Sequence, residues 1–172
     1  MKSKFLWPLL ILGGIVFRLI PHEANFVPVG AISLFAGIYA PKKYAWLIVA
    51  LVMVVSDLIL GFHSVIPWVY GSYLLIVLLG ILVRKKVNLG TVLASSLLAS
   101  VIFFLITNFG VWVSGGMYTR NLQGLVECFT LAIPFFRGTL SGDIFYSLVL
   151  FTAFSLNQNK DQIFSKLSQL GA

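Results

Sequence analysis

The sequence predicts an all-α integral membrane protein: a bundle of six transmembrane helices, both chain ends cytoplasmic, with a short amphipathic helix in the last external loop. Three observations predict this. Of 172 residues, 59% are hydrophobic and only 10% charged, where a soluble domain carries about a quarter charged residues. The apolar residues gather into six runs within a single transmembrane unit spanning 1–172, at about 5–20, 26–40, 44–61, 66–83, 91–113 and 133–156. The basic residues are one-sided. With the amino end inside, Lys2, Lys4, Lys42, Lys43, Arg84, Lys85, Lys86, Lys160 and Lys166 are cytoplasmic, and only Arg18, Arg120 and Arg137 fall on or toward the outer side. That is the positive-inside pattern.

The first run opens with Lys2 and Lys4 and carries Arg18 near its end. It resembles a signal peptide but lacks a small-residue cleavage site, so it is expected to remain as a helix. The second run is short and contains Pro28, Gly30 and Gly37. A re-entrant second run would put Lys42–Lys43 and Arg84–Lys86 on opposite sides, so the charge pattern favours a span. The third run ends at Gly61, about one turn beyond Asp57, and His63 follows in the exit loop. The fourth stops at Arg84–Lys85–Lys86, and the fifth has no charged residue. Between the fifth and sixth, Leu122, Leu125, Val126, Phe129 and Ile133 recur at helical spacing, the apolar face of an amphipathic helix. Thr119 or Asn121 is placed to cap it, and it would serve as a connector or as a lid. The sixth run holds Arg137 and Asp143.

A net charge of +7 would point to nucleic acid in a soluble chain, but here the basic residues mark helix ends, and no nucleic-acid partner is expected. Cys128 is the sole cysteine, which excludes an internal disulfide and a cysteine-based zinc site. His22–Glu23 begins like H-E-x-x-H but continues to Phe26, and no P-loop or G-x-S-x-G occurs. The chain therefore reads as a non-enzyme, with no cofactor and no resident metal.

The chemistry-bearing residues lie on one side. His22, Asn25, Asp57, His63, Tyr70, Asn108, Trp112 and Arg137 map to the outer half or outer loops, and Asp143 lies deeper. A proton or ion relay needs polar groups through the whole depth. An outward-facing pocket needs a one-sided set, with aromatics for contact and a few polar groups for orientation. Each residue also has a plainer role. Asp57 with Arg18 or Arg137 makes a structural pair, His22 and Asn25 satisfy loop backbone, and Cys128 packs as a small apolar residue.

Four blocks carry a resemblance: Pro21-His22-Glu23-Ala24-Asn25-Phe26-Val27-Pro28-Val29-Gly30, Ser56-Asp57-Leu58 with Gly61-Phe62-His63, Thr107-Asn108-Phe109-Gly110-Val111-Trp112, and Pro134-Phe135-Phe136-Arg137 with Gly142-Asp143. Together they resemble a family of small bacterial membrane proteins of unassigned function. The plan also resembles the substrate-binding S component of energy-coupling factor (ECF) vitamin transporters, and the solitary cobalamin-uptake relatives of these. That likeness implies six helices in the bacterial cytoplasmic membrane and an outward pocket for a vitamin or similar small molecule, with a corrinoid among the candidates. It also implies an ECF-type energising module as a candidate partner besides the bilayer. Polar groups comparable to the relatives' are His22, Asp57, Tyr70 and Arg137, with His63 as a cobalt ligand if the substrate is a corrinoid. The expected site is His22, Asn25, Asp57, His63, Tyr70, Asn108, Trp112, Arg137 and Asp143, with Arg137 and Asp57 meeting across the bundle to orient the substrate. The rival readings are an enzyme at the outer face using His22, His63 and Asp57, and a structural subunit of a membrane complex.

Overall fold

A computed structural model describes the backbone of residues 5–170 and the side chains of residues 5–158. Lys2 and Lys4, and the side chains of Lys160 and Lys166, lie outside the described residues. Six helices and no strand occur within them: α1 Leu6–Leu19, α2 Val29–Tyr39, α3 Lys42–Leu60, α4 Ile66–Val83, α5 Leu89–Ser114 and α6 Leu122–Leu170. Four of them, α3 to α6, are long and apolar enough to cross a membrane, while α1 and α2 are shorter apolar helices. Large exposed side chains such as Leu58, Ile59, Leu82, Leu97 and Phe145 cover the outside, a surface suited to lipid and not to water.

The helices pack around α2. Val29 to Ile38 are all buried, and α2 touches every other helix. A helix apolar on all faces needs such a sleeve. At 11 residues it rises only about 16 Å, roughly half a hydrocarbon core. Its partners fit closely. A methyl group at Gly37 would overlap the Val77 carbonyl of α4, and one at Gly80 would overlap the Leu34 carbonyl of α2, so the two backbones touch. Phe35 and Tyr39 stack with Phe151 and Phe154 of α6.

Contacts at the two ends fix the helix directions. Arg84, just past α4, donates from Nη2 to the Ala40 carbonyl at 2.7 Å and the Ile38 carbonyl at 3.0 Å, satisfying carbonyls that the end of α2 leaves open. Tyr39 stacks on Phe154. The ends of α2 and α4, and this part of α6, therefore share one end of the bundle with Lys42 and Lys43; this is the basic end. At the opposite end Arg18 of α1 meets Asp57 of α3, and Trp68 Nε1 of α4 donates to Ser114 Oγ of α5 at 3.0 Å. Helices α1, α3 and α5 thus run one way and α2, α4 and α6 the other.

Local signals explain the boundaries. Pro41 and Gly61 flank α3, and Gly61 has φ +94°, a conformation glycine adopts without a Cβ clash. Pro67 sits in the first turn of α4, where its missing N–H costs nothing. Asn88 Oδ1 accepts from Thr91 N at 2.9 Å and caps α5. Asn121 Oδ1 accepts from Gly124 N at 2.8 Å and caps α6.

The separate amphipathic helix is not found. Residues 122–133 form the first turns of α6, which continues through Pro134 without a break. The expected apolar face divides: Leu122, Val126 and Ile133 are exposed and Leu125 and Phe129 half-buried, while Gly124, Cys128 and Ala132 are buried. The reason is α5, whose 26 residues rise about 39 Å and support α6 along its upper turns. Phe104 of α5 stacks on both Phe129 and Phe136, on either side of Pro134. Small residues let the two backbones close up.

Candidate functional site

Two groups of polar residues occupy the end opposite the basic one. The first is a buried ion cluster. Asp57, 1% exposed, lies one turn before the end of α3, and Arg18 is the penultimate residue of α1. Arg18 Nη2 is 2.7 Å from Asp57 Oδ1, and its Nη1 bonds Ser56 Oγ. Tyr70 of α4 donates to Asp57 Oδ2 at 2.7 Å. The carboxylate thus has a counter-charge and a hydroxyl, which is what a buried charge requires. The expected meeting of Asp57 with Arg137 does not occur. Arg137 is exposed on α6 and, among the described residues, makes no ion pair. The parallel run of α1 and α3 brings Arg18 to the carboxylate instead.

The second group lines a cavity of about 370 Å³ between α4, α5 and α6, partly covered by the loop residues Met117, Tyr118 and Asn25. Phe103, Phe104, Phe135 and Phe136 form its apolar wall, and Thr107, Asn108, Cys128 and Thr139 are its polar points; no charged residue lines it. Asn108 Nδ2 donates to the Phe104 carbonyl at 2.7 Å, and among the described residues its Oδ1 accepts no hydrogen bond. Thr107 and Thr139 donate to their own helix at the Phe103 and Phe135 carbonyls, and their oxygens retain acceptor capacity. The cover is held in place. Trp112 Nε1 donates to the Thr119 carbonyl at 3.0 Å, and Gly116 turns at φ +67°. Asn25, at φ +62°, belongs to the loop before α2, and asparagine tolerates that region better than most residues. This loop lies on α6 where Gly138 and Gly142 leave no Cβ in the way of Ala24 and Phe26.

Of the nine expected residues, then, Asn25 and Asn108 line the cavity and Trp112 braces its cover. Asp57 and Tyr70 belong to the ion cluster. His22 and His63 are exposed loop residues, and His22 Nδ1 is 2.7 Å from the Ile20 carbonyl. Asp143 is 4% exposed, deep in the bundle, and accepts from Ser100 Oγ at 2.8 Å. Sequence reasoning passed over Thr107, Thr139 and the serines of α5. Their signal is a polar stripe at Ser96, Ser100 and Thr107 on a helix without charges, visible only when neutral polar residues are counted as well.

No curated protein and no solved structure matches the chain. The family profile that does match covers residues 1–166, and so takes in both polar groups and the whole of the cavity wall. The chain belongs to the family of unknown function DUF6580.

Proposed function

We propose that this is a membrane-embedded binding and uptake protein for a small molecule, with six spans, both ends cytoplasmic, and a plan like that of an S component. The cavity between α4, α5 and α6 is its binding site, and it opens on the outer face. The observation that carries the reading is this cavity: aromatic walls, a few neutral polar points and a cover built from loops, the composition of small-molecule sites. The positive-inside pattern supports the orientation, since the cavity lies opposite Lys42, Lys43 and Arg84–Lys86.

The cavity also narrows the substrate. Its volume, about 370 Å³, is at the lower end for sites that bury a drug-sized ligand, and a corrinoid is too large for it. A charged substrate would find no counter-charge among the lining residues. The fitting ligand is uncharged, contains one or two rings, and offers an N–H or O–H to Asn108 Oδ1.

Mass spectrometry of the protein purified in detergent tests this. Wild-type protein is expected to carry a compound of that description. Asn108→Leu should lower its retention about 10-fold or more, because the ligand donor is left unpaired, whereas Arg137→Ala should retain it. A preparation with no bound compound, or with one that Asn108→Leu holds equally well, would overturn the reading.

A further inference from the structure

A second cavity, of about 300 Å³, lies at the basic end and is lined by Tyr39, Asn88, Val92, Phe151, Thr152 and Ser155 among others. It shares α5 and α6 with the outer cavity. Thr107 and Thr139 line the outer one, Val92 and Phe151 the inner. From Phe103 to Val92 the intervening stretch of α5 rises about 16 Å. The buried residues along it are not apolar. Ser95, Ser96 and Ser100 of α5 and Asp143 and Ser147 of α6 are each at most 5% exposed. On α6, Thr139, Asp143, Ser147 and Phe151 follow one another at four-residue intervals on one face, joining the two cavity walls.

Two features of this seam need explaining. Ser147 Oγ is fully buried and, among the described residues, has no hydrogen-bond partner, an unusual state for a polar atom. Asp143 has a hydroxyl partner but, among the described residues, no counter-charge. Helix α5 contains no titratable residue, and α2 presents the backbone of Gly30. From α4, Tyr73 comes within electrostatic reach, and Arg18 beyond it is engaged by Asp57. On α6 itself Tyr146 is the nearest titratable group in sequence, and Arg137 is exposed. His22 and Glu23, in the loop before α2, are exposed.

From this arrangement we infer that Asp143 takes up and releases a proton on a path along the α5–α6 seam, so that uptake through the outer cavity is driven by protons. The inference rests on the binding reading above. Ser100 Oγ is 2.8 Å from Asp143 Oδ2 and 3.0 Å from the Ser96 carbonyl. When Asp143 is ionised, the hydroxyl donates to the carboxylate. When Asp143 is protonated, its O–H donates to Ser100 Oγ, and the Ser100 proton turns to the Ser96 carbonyl. The Asp143–Ser100 bond is kept in both states, and a proton is the only species gained or lost. A metal cation fits less well. A methyl at Gly30 would overlap Asp143 Oδ1, so the carboxylate is pressed against the α2 backbone, where an ion has no room for its oxygen shell. Ser147, one turn further inward, supplies the next polar group toward the inner cavity.

The test uses the purified full-length protein in vesicles loaded with a pH-sensitive dye, with the membrane potential clamped and an inward proton gradient imposed. Wild-type vesicles should acidify faster than protein-free ones. Asp143→Asn, which keeps the shape and still accepts from Ser100, should fall to the protein-free rate. Ser100→Ala, a milder change, should give an intermediate rate and guards against misfolding of the first variant. Wild-type vesicles no faster than protein-free ones, or both variants as fast as wild type, would overturn the proton path. Mass spectrometry of the same preparations separates this from the binding reading. Bound compound without Asp143-dependent flux leaves the binding site standing and removes only the proton path.

Discussion

Arg18 shows how one side chain decides the meaning of another. It neutralises Asp57, and Tyr70 fills the second carboxylate oxygen. Removing one partner of a buried pair strands the other, at a cost of about 3–5 kcal/mol. Arg18→Ala is therefore expected to lower stability in detergent by that order, measured by denaturant unfolding. Arg18→Met with Asp57→Leu should recover most of it, because an apolar pair of similar volume replaces both charges. Arg137→Ala, at an exposed position, should leave stability nearly unchanged. The sequence made a buried carboxylate at Asp57 legible, and it offered Arg18 and Arg137 as partners at similar depth. It could not choose between them, because depth follows from position along a run while the lateral order of helices does not. The serines of the α5–α6 seam were missed for a different reason: a search for charge overlooks hydroxyls, although hydroxyls can carry polar character across the same depth.

At the scale of helices, hydropathy locates the runs well and orients them poorly. Each of the six helices lies on an apolar run, and α4 occupies 66–83 as expected. On α6 the apolar spacing of Leu122, Leu125, Val126, Phe129 and Ile133 marks a face of which only Leu125 and Phe129 are half-buried, while the small residues Gly124, Cys128 and Ala132 are the buried ones. In water the apolar face turns inward; in lipid both faces are apolar, and residue size marks the contact. The same rule makes the α2–α4 crossing fragile. Gly37→Ala would push a methyl into the Val77 carbonyl, and backbone cannot swing aside as a side chain does. The expected loss is at least about 1–3 kcal/mol, read from the thermal midpoint in detergent, whereas Gly13→Ala, with open space around it, should have little effect.

Taken whole, the molecule has two unlike ends, and their assignment to the two sides of a membrane can be tested by labelling. In a Cys128→Ala background, single cysteines at Ser64 and Gln123 should react with an impermeant thiol reagent on intact cells. A cysteine at Lys43 should react only after permeabilisation. An external Lys43 would reverse the orientation and with it the side on which the cavity opens. The sequence carried this level of organisation in its basic clusters, but it did not show that α2 forms the centre of the bundle. That position has a consequence for synthesis. A short helix with a looped backbone before it is poorly suited to rest in lipid alone, because the loop's amides there would lack partners. The sleeve around it includes α4, α5 and α6, which leave the ribosome later. The second segment must therefore wait, unfinished, while more than half of the chain is still being made. The centre of the bundle therefore gains its full set of contacts only when α6 is complete.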